Sequence, residues 1–97
     1  MAATYHFKIL TPSQSVLDAE VVSIVAPGEA GYLGVLANHA PLITTLTSGK
    51  LTVTREGAED TYYQLEGGIL RVARNSAVLL SEKVEEITDA ESSATPA

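Results

Sequence analysis

Two histidines, a Ser-Gly-Lys tripeptide and a set of spaced glycines are the places where this chain could do chemistry. Ser48-Gly49-Lys50 suggests a phosphate-binding loop, in which backbone amides wrap the phosphates and a following hydroxyl reaches magnesium. That loop needs Gly five residues before its Gly-Lys and Ser or Thr after it. Thr44 and Leu51 occupy those positions, so the motif fails and Ser48-Gly49 reads as a turn. Gly28, Gly31 and Gly34 are spaced by three, not as G-x-G-x-x-G, and no helical pattern follows them. They read as positive-φ residues of a tight connection. His6 shares an outward face with Lys8 and has no metal-ligand spacing around it, which makes it a solvated surface residue. His39 sits in Ala37-Asn38-His39-Ala40-Pro41, a loop leading into a strand. Catalytic triads assemble in space, so His39 could belong to a small hydrolase only with a nucleophile and an acid gathered around it. No G-x-S-x-G elbow is present, and a structural hydrogen bond or an interface contact is the favoured role. No cofactor or metal is expected.

The elements that would hold these residues are strands. Tyr5, Phe7 and Ile9 alternate with Thr4, His6 and Lys8, and Leu51 and Val53 alternate with Lys50, Thr52 and Thr54. Further strands are predicted over 20–26, 32–36, 41–46, 61–66, 69–73 and 77–82. Turn signals fall between them at Thr11-Pro12-Ser13, Pro27-Gly28, Ser48-Gly49, Glu56-Gly57, Gly67-Gly68 and Asn75-Ser76. Tyr62 and Tyr63 point to opposite faces, one toward the core and one outward. Many short strands with frequent turns make an all-β sandwich or barrel. Thr88-Asp89-Ala90-Glu91 has the form of a helix capping box, yet Ser92 to Ala97 are rich in poor helix formers and stopped by Pro96. Residues 82–97 hold five acids and one base, and read as an acidic tail.

Composition narrows the function. Ninety-seven residues suit one domain, with 45% hydrophobic and 19% charged side chains. No Cys is present, so disulfides and thiolate metal sites are excluded. A formal charge of −6 with scattered Lys and Arg argues against nucleic-acid binding. The opening residues lack the pattern of a secretory signal, and no apolar run reaches the ~20 residues that span a bilayer. A carbohydrate-binding or other ligand-binding sandwich would show several aromatic platforms, whereas Trp is absent and Phe occurs once.

Gly31-Tyr32-Leu33-Gly34-Val35-Leu36-Ala37-Asn38-His39-Ala40-Pro41-Leu42 resembles the G-x-[LF]-G-[IV]-x-x-x-H-A-P-L signature of the ATP synthase epsilon subunit family, which includes the mitochondrial delta subunit. Leu65-Glu66-Gly67-Gly68-Ile69-Leu70-Arg71-Val72 is similar to a second family segment. The resemblance implies a two-sheet β-sandwich of about ten short strands over 1–88. Residues 89–97 would then be a short acidic tail in place of the family's C-terminal helical hairpin and of any ATP site that depends on it. It further implies a non-catalytic rotor subunit at the foot of the central stalk, coupling proton-driven rotation to ATP synthesis. The partners would be the gamma subunit and the c-ring, with membrane association only through the complex, at the cytoplasmic face of a bacterial inner membrane. Position by position, Asn38, His39, Ala40, Pro41 and Leu42 would face gamma, with Gly67, Gly68 and Ile69 adjacent to them. Gly28, Glu29, Gly31 and Tyr32 would face the c-ring. Tyr32 stands where many relatives carry an acid, which leaves Glu29 to supply that charge. Asn38 replaces a common Gly, and Asn also tolerates the left-handed backbone a turn needs.

Overall fold

Period-two alternation becomes eight β-strands in a computed structural model that describes residues 3–88. They are β1 (Tyr5–Leu10), β2 (Ser15–Val21), β3 (Ser23–Gly28), β4 (Gly31–Leu36), β5 (Leu42–Thr54), β6 (Thr61–Ala73), β7 (Ser76–Leu80) and β8 (Val84–Ile87). The helix cap at Thr88 and the tail beyond it fall almost wholly outside the described residues.

Two layers share β5 and β6. The first layer runs β2-β1-β7, then the second half of β6 and the first half of β5. The second layer runs β8, the first half of β6, the second half of β5, then β3 and β4. All pairings are antiparallel except that of β1 with β7, where His6 to Leu10 lie beside Ser76 to Leu80. Counting the halves of β5 and β6 separately gives five segments per layer, in line with about ten short strands.

The turns expected at Ser48-Gly49 and Gly67-Gly68 do not exist. β5 and β6 are each 13 residues long, and they stay paired from Leu42↔Val72 to Val53↔Thr61 with no change of register. The glycines instead let a paired ribbon cross from one layer to the other. Buried positions switch from Leu46 to Leu51 and Val53 in β5, and from Tyr63 and Leu65 to Leu70 and Val72 in β6. The inward face therefore changes parity at the crossing, which an unbroken pleat forbids. Gly67 (φ 81) and Gly68 (φ 147) supply the backbone rotation. Gly49 is needed for a different reason: a Cβ there would lie 2.8 Å from the Pro27 ring.

The strand expected over 20–26 is two strands. β2 ends at Val21 and β3 begins at Ser23, and at Val22 the chain leaves the first layer for the second, its N–H donating to the Thr54 carbonyl at 2.7 Å. Between the layers lies one core built from Phe7, Ile9, Ile24, Leu51, Leu65, Leu70 and Leu79, all fully buried. Each such side chain contributes roughly 1.5–3 kcal/mol relative to exposure. The Tyr5 hydroxyl crosses this core from β1 and donates to the Val35 carbonyl on β4 at 2.8 Å, tying the layers together. Tyr63 is buried and Tyr62 is half-exposed under the Lys50 ammonium, 5.4 Å from its ring centroid.

Candidate partner-docking surface

Residues opposite one another in a sheet share a side, so register decides what the outer face of the first layer presents. One row across that face is Thr45, Ile69, Leu80 and Leu10; the next is Ile43, Arg71, Val78 and Lys8. Ile43 is 73% exposed, Leu80 48% and Ile69 47%, with Leu10 and Val78 half-buried beside them. Four strands thus place aliphatic side chains in one water-facing patch, the kind of surface that marks an interaction site.

At one edge the patch deepens into an open groove of about 500 Å³. Leu10, Pro12, Ile69 and Leu80 form its walls, Gly68 and Ser81 its floor, and Glu66 and Glu82 stand at its rim. The floor is tightly built. Ser81, buried, donates from Oγ to the Gly67 carbonyl at 2.6 Å, and its backbone N–H donates to the Leu10 carbonyl at 3.1 Å. A Cβ on Gly68 would stand 2.4 Å from the Leu80 carbonyl oxygen, so this position accepts only glycine.

The residues assigned to gamma separate into two places. Asn38 (φ 65) turns the β4–β5 connection, where the His39 backbone N–H donates to the Leu36 carbonyl at 3.3 Å. The His39 ring donates from Nδ1 to the adjacent Ala40 carbonyl at 2.7 Å, its only side-chain hydrogen bond among the described residues. Among the described residues no nucleophile or acid is hydrogen-bonded to it. Ala40 and Pro41 are exposed, but Leu42 packs against the core, and its neighbour Ile43 is the one that faces water. Gly67, Gly68 and Ile69 are not beside this loop. They pair with Leu46 and Thr45, roughly 10 Å along β5 from Leu42 at about 3.3 Å per residue.

The residues assigned to the c-ring share the β3–β4 hairpin, with Glu29 and Ala30 at the tip and Gly28 opposite Gly31. Of the three spaced glycines only Gly31 has positive φ, at 126°. Glu29 is exposed, and its backbone N–H donates to the Thr45 carbonyl at 3.4 Å. The Tyr32 ring is mostly exposed while its hydroxyl accepts from the Lys50 backbone N–H at 3.3 Å. The tip therefore neighbours the Gly67-Gly68 crossing, and the His39 loop lies at the far end of β4. Tyr32, Val25 and Leu36 make a second apolar strip on the outer face of the other layer, interrupted at Gly34.

Ion clusters among the described residues include one at His6 and one at Lys83. His6 lies between Asp18 (Nε2 to Oδ1, 2.5 Å) and Glu20 (Nδ1 to Oε2, 3.0 Å) across the β1–β2 pair. The hydrogen bond to Glu20, followed by the charge of Asp18, raises its pKa above the ordinary value. Lys83 bridges Glu66 at 3.3 Å and Glu85 at 3.7 Å, and the Glu66 contact raises its pKa. No group of three metal-ligating side chains occurs among the described residues.

Ile43, Leu80 and Leu10 were not singled out from the sequence, although a signal existed. Ile9-Leu10, Leu42-Ile43, Ile69-Leu70 and Leu79-Leu80 are apolar doublets inside alternating strands. With a period of two, one member of each must face outward.

The family described as "ATP synthase, Delta/Epsilon chain, beta-sandwich domain" matches residues 4–87. The ATP synthase epsilon chain of Moorella thermoacetica is 40% identical over 83 residues, which are 86% of this chain and 62% of that one. The epsilon chain of Caulobacter vibrioides is 39% identical over 84 residues, covering 87% of this chain and 96% of that one. This chain thus spans less than two thirds of the Moorella relative but nearly all of the Caulobacter one. Among solved structures, a chain of the Euglena gracilis mitochondrial ATP synthase (OSCP/F1/c-ring) superposes with a TM-score of 0.83 at 23% identity, over 94% of this chain and 59% of that one. A chain of the Tetrahymena thermophila mitochondrial ATP synthase (central stalk/c-ring) gives 0.71 at 14% identity, over 86% and 66%. At these identities the structural likeness is one of fold.

Proposed function

The chain belongs to the ATP synthase delta/epsilon β-sandwich family, and from that premise we propose that it is a non-catalytic rotor subunit of an F-type ATP synthase. In this reading it binds the gamma subunit and the c-ring and couples proton-driven rotation to ATP synthesis. It is held at the membrane through the complex, on the cytoplasmic side of a bacterial inner membrane. Residues 1–88 form the docking body, with 89–97 as a tail beyond it.

The observation that carries this reading is the apolar patch of Ile43, Ile69 and Leu80 on the outer face of the first layer. A stable attachment buries about 1,600 Å² in total, with a few central anchors dominating its strength. Their exposure supports a role as such anchors, with gamma as the partner in this reading. Asn38 to Pro41 extend the contact from the adjoining loop, and Ile69 contributes from the patch itself. The supposed roles of Gly67 and Gly68 become indirect, because both are accounted for by the ribbon crossing. The hairpin tip, with Gly28, Glu29, Gly31 and Tyr32, is assigned to the c-ring. Torque transfer also asks for stiffness, which a close-packed core with two strands common to both layers supports.

The test is a titration with purified gamma. Ile43→Asp removes an anchor and places a carboxylate in the contact, so affinity should fall by roughly 100-fold. Ile43 is mostly exposed, so thermal stability should stay within about 0.5 kcal/mol of the parent. Unchanged affinity for gamma would refute the assignment.

A further inference from the structure

We propose that the groove beside the patch receives one long basic side chain, a Lys or Arg of the docked gamma subunit. The inference rests on the docking reading above. Leu10, Pro12, Ile69 and Leu80 give the groove aliphatic lining, the Thr11 hydroxyl beside them already donates to the Gln14 carbonyl, and the exposed Glu66 and Glu82 bring carboxylates. A small hydrated cation would gain nothing from such walls, and a wholly apolar side chain would leave the rim charges unused. A Lys or Arg satisfies both parts, laying its methylene stem along apolar surface and bringing its charge to the carboxylates. The two acids are not equivalent. Glu66 already holds Lys83 at 3.3 Å, whereas Glu82 makes no ion pair among the described residues, so Glu82 is the main acceptor.

The rest of the face supports an oriented partner. Arg71 and Lys8 lie in the row farther from the groove, beyond Ile69 and Leu80. The surface thus runs from acid at the groove, through aliphatic side chains, to base. Such polarity favours a partner segment that presents its base at the groove and its acid toward Arg71, and it fixes direction more than it adds affinity. The chain's formal charge of −6 favours approach of a basic partner in the same sense.

The experiment measures the full chain against purified gamma at low and at moderate salt. Glu82→Gln should weaken binding roughly ten-fold and flatten its salt dependence, because a charge-assisted hydrogen bond is lost. When the Lys and Arg residues of gamma are changed singly to Met, one variant should lose a similar factor. Glu82→Gln should then add nothing to that variant. Ile43→Asp, run in parallel, separates the two claims. If it weakens binding while Glu82→Gln and Glu66→Gln remain within about two-fold of the parent, the groove inference is overturned and the docking reading stands. If Ile43→Asp has no effect, the docking reading falls and the groove inference falls with it.

Discussion

Gly68→Ala should damage this fold about as much as a large core truncation, although it adds only one methyl group. Two penalties act at once. At φ 147 an L-residue is strained, which costs about 1–3 kcal/mol. The new Cβ would also stand 2.4 Å from the Leu80 carbonyl oxygen and 3.2 Å from the Ser81 Cβ. That carbonyl is backbone and cannot swing aside as a side chain would. Leu80 is paired with Ile69 on one side and with Leu10 on the other. Relief must come from parting β6 and β7, and overpacking of this kind costs about 1–3 kcal/mol. The expected loss is about 2–6 kcal/mol, a large share of the 5–15 kcal/mol typical of a domain. In a domain this small each kcal/mol corresponds to roughly 4–8 °C, so the melting temperature should drop by at least about 8 °C. Urea unfolding followed by far-ultraviolet circular dichroism measures the change, and an unaltered m-value would show that the same surface unfolds. Gly34→Ala is the control, since the nearest atom to its added Cβ is the Ile24 carbonyl oxygen at 3.9 Å; its stability should stay within about 1 kcal/mol. A Gly68→Ala chain within about 0.5 kcal/mol of the parent would refute the idea that the crossing is rigidly packed against β7.

Tyr5→Phe leaves the buried Val35 carbonyl without its donor and should cost about 1–3 kcal/mol by the same urea assay. Burial raises the Tyr5 phenol above its ordinary value, so its contribution is complete below the unfolded pKa of about 10 and is lost as pH rises through the folded one. Stability should therefore decline in alkali, and less steeply in Tyr5→Phe, with Tyr63, also raised by burial, keeping part of the slope. At the other cluster, Glu20→Gln should lower the His6 titration midpoint seen by NMR, because the Glu20 hydrogen bond is the largest cause of its elevation. The His6 contribution is present below its unfolded pKa of about 6.5 and fades as pH rises through the elevated value, so the variant should show a flatter pH dependence of stability above about pH 6.5. A midpoint that does not move would discount that hydrogen bond.

Much of this fold was legible because one face of most strands is dry. Tyr5-Phe7-Ile9 and Leu51-Val53 alternate cleanly, and each of these side chains is buried. The unread parts have physical reasons. Glycine pairs signal turns locally, but only long-range pairing shows that β5 and β6 continue through theirs. β8, Val-Glu-Glu-Ile, has no fully buried residue and so gives no alternation to find. Residues 15–19 of β2 are missed for the same reason, because none of them is fully buried and the exposed Ser15 and Asp18 obscure the apolar positions. Of the candidate surface, the sequence pointed to the His39 loop and the hairpin tip, which are local. The patch was hidden, because Ile43, Ile69, Leu80 and Leu10 meet only through registers that no single strand records.

The parallel contact of β1 with β7 bears on how the domain is made. His6 finds Ser76 only after nearly the whole described chain has left the ribosome, while β3 to β6 can close in turn through neighbouring hairpins. The part of the second layer built from β3 to β6 can thus mature first, before β7 and β8 are available, while Phe7 and Ile9 wait uncovered beside β2. Distant pairing of this kind slows folding and prolongs vulnerability to aggregation. The hazard in biosynthesis falls on β1, which emerges before the other described strands and is among the last of them to be enclosed.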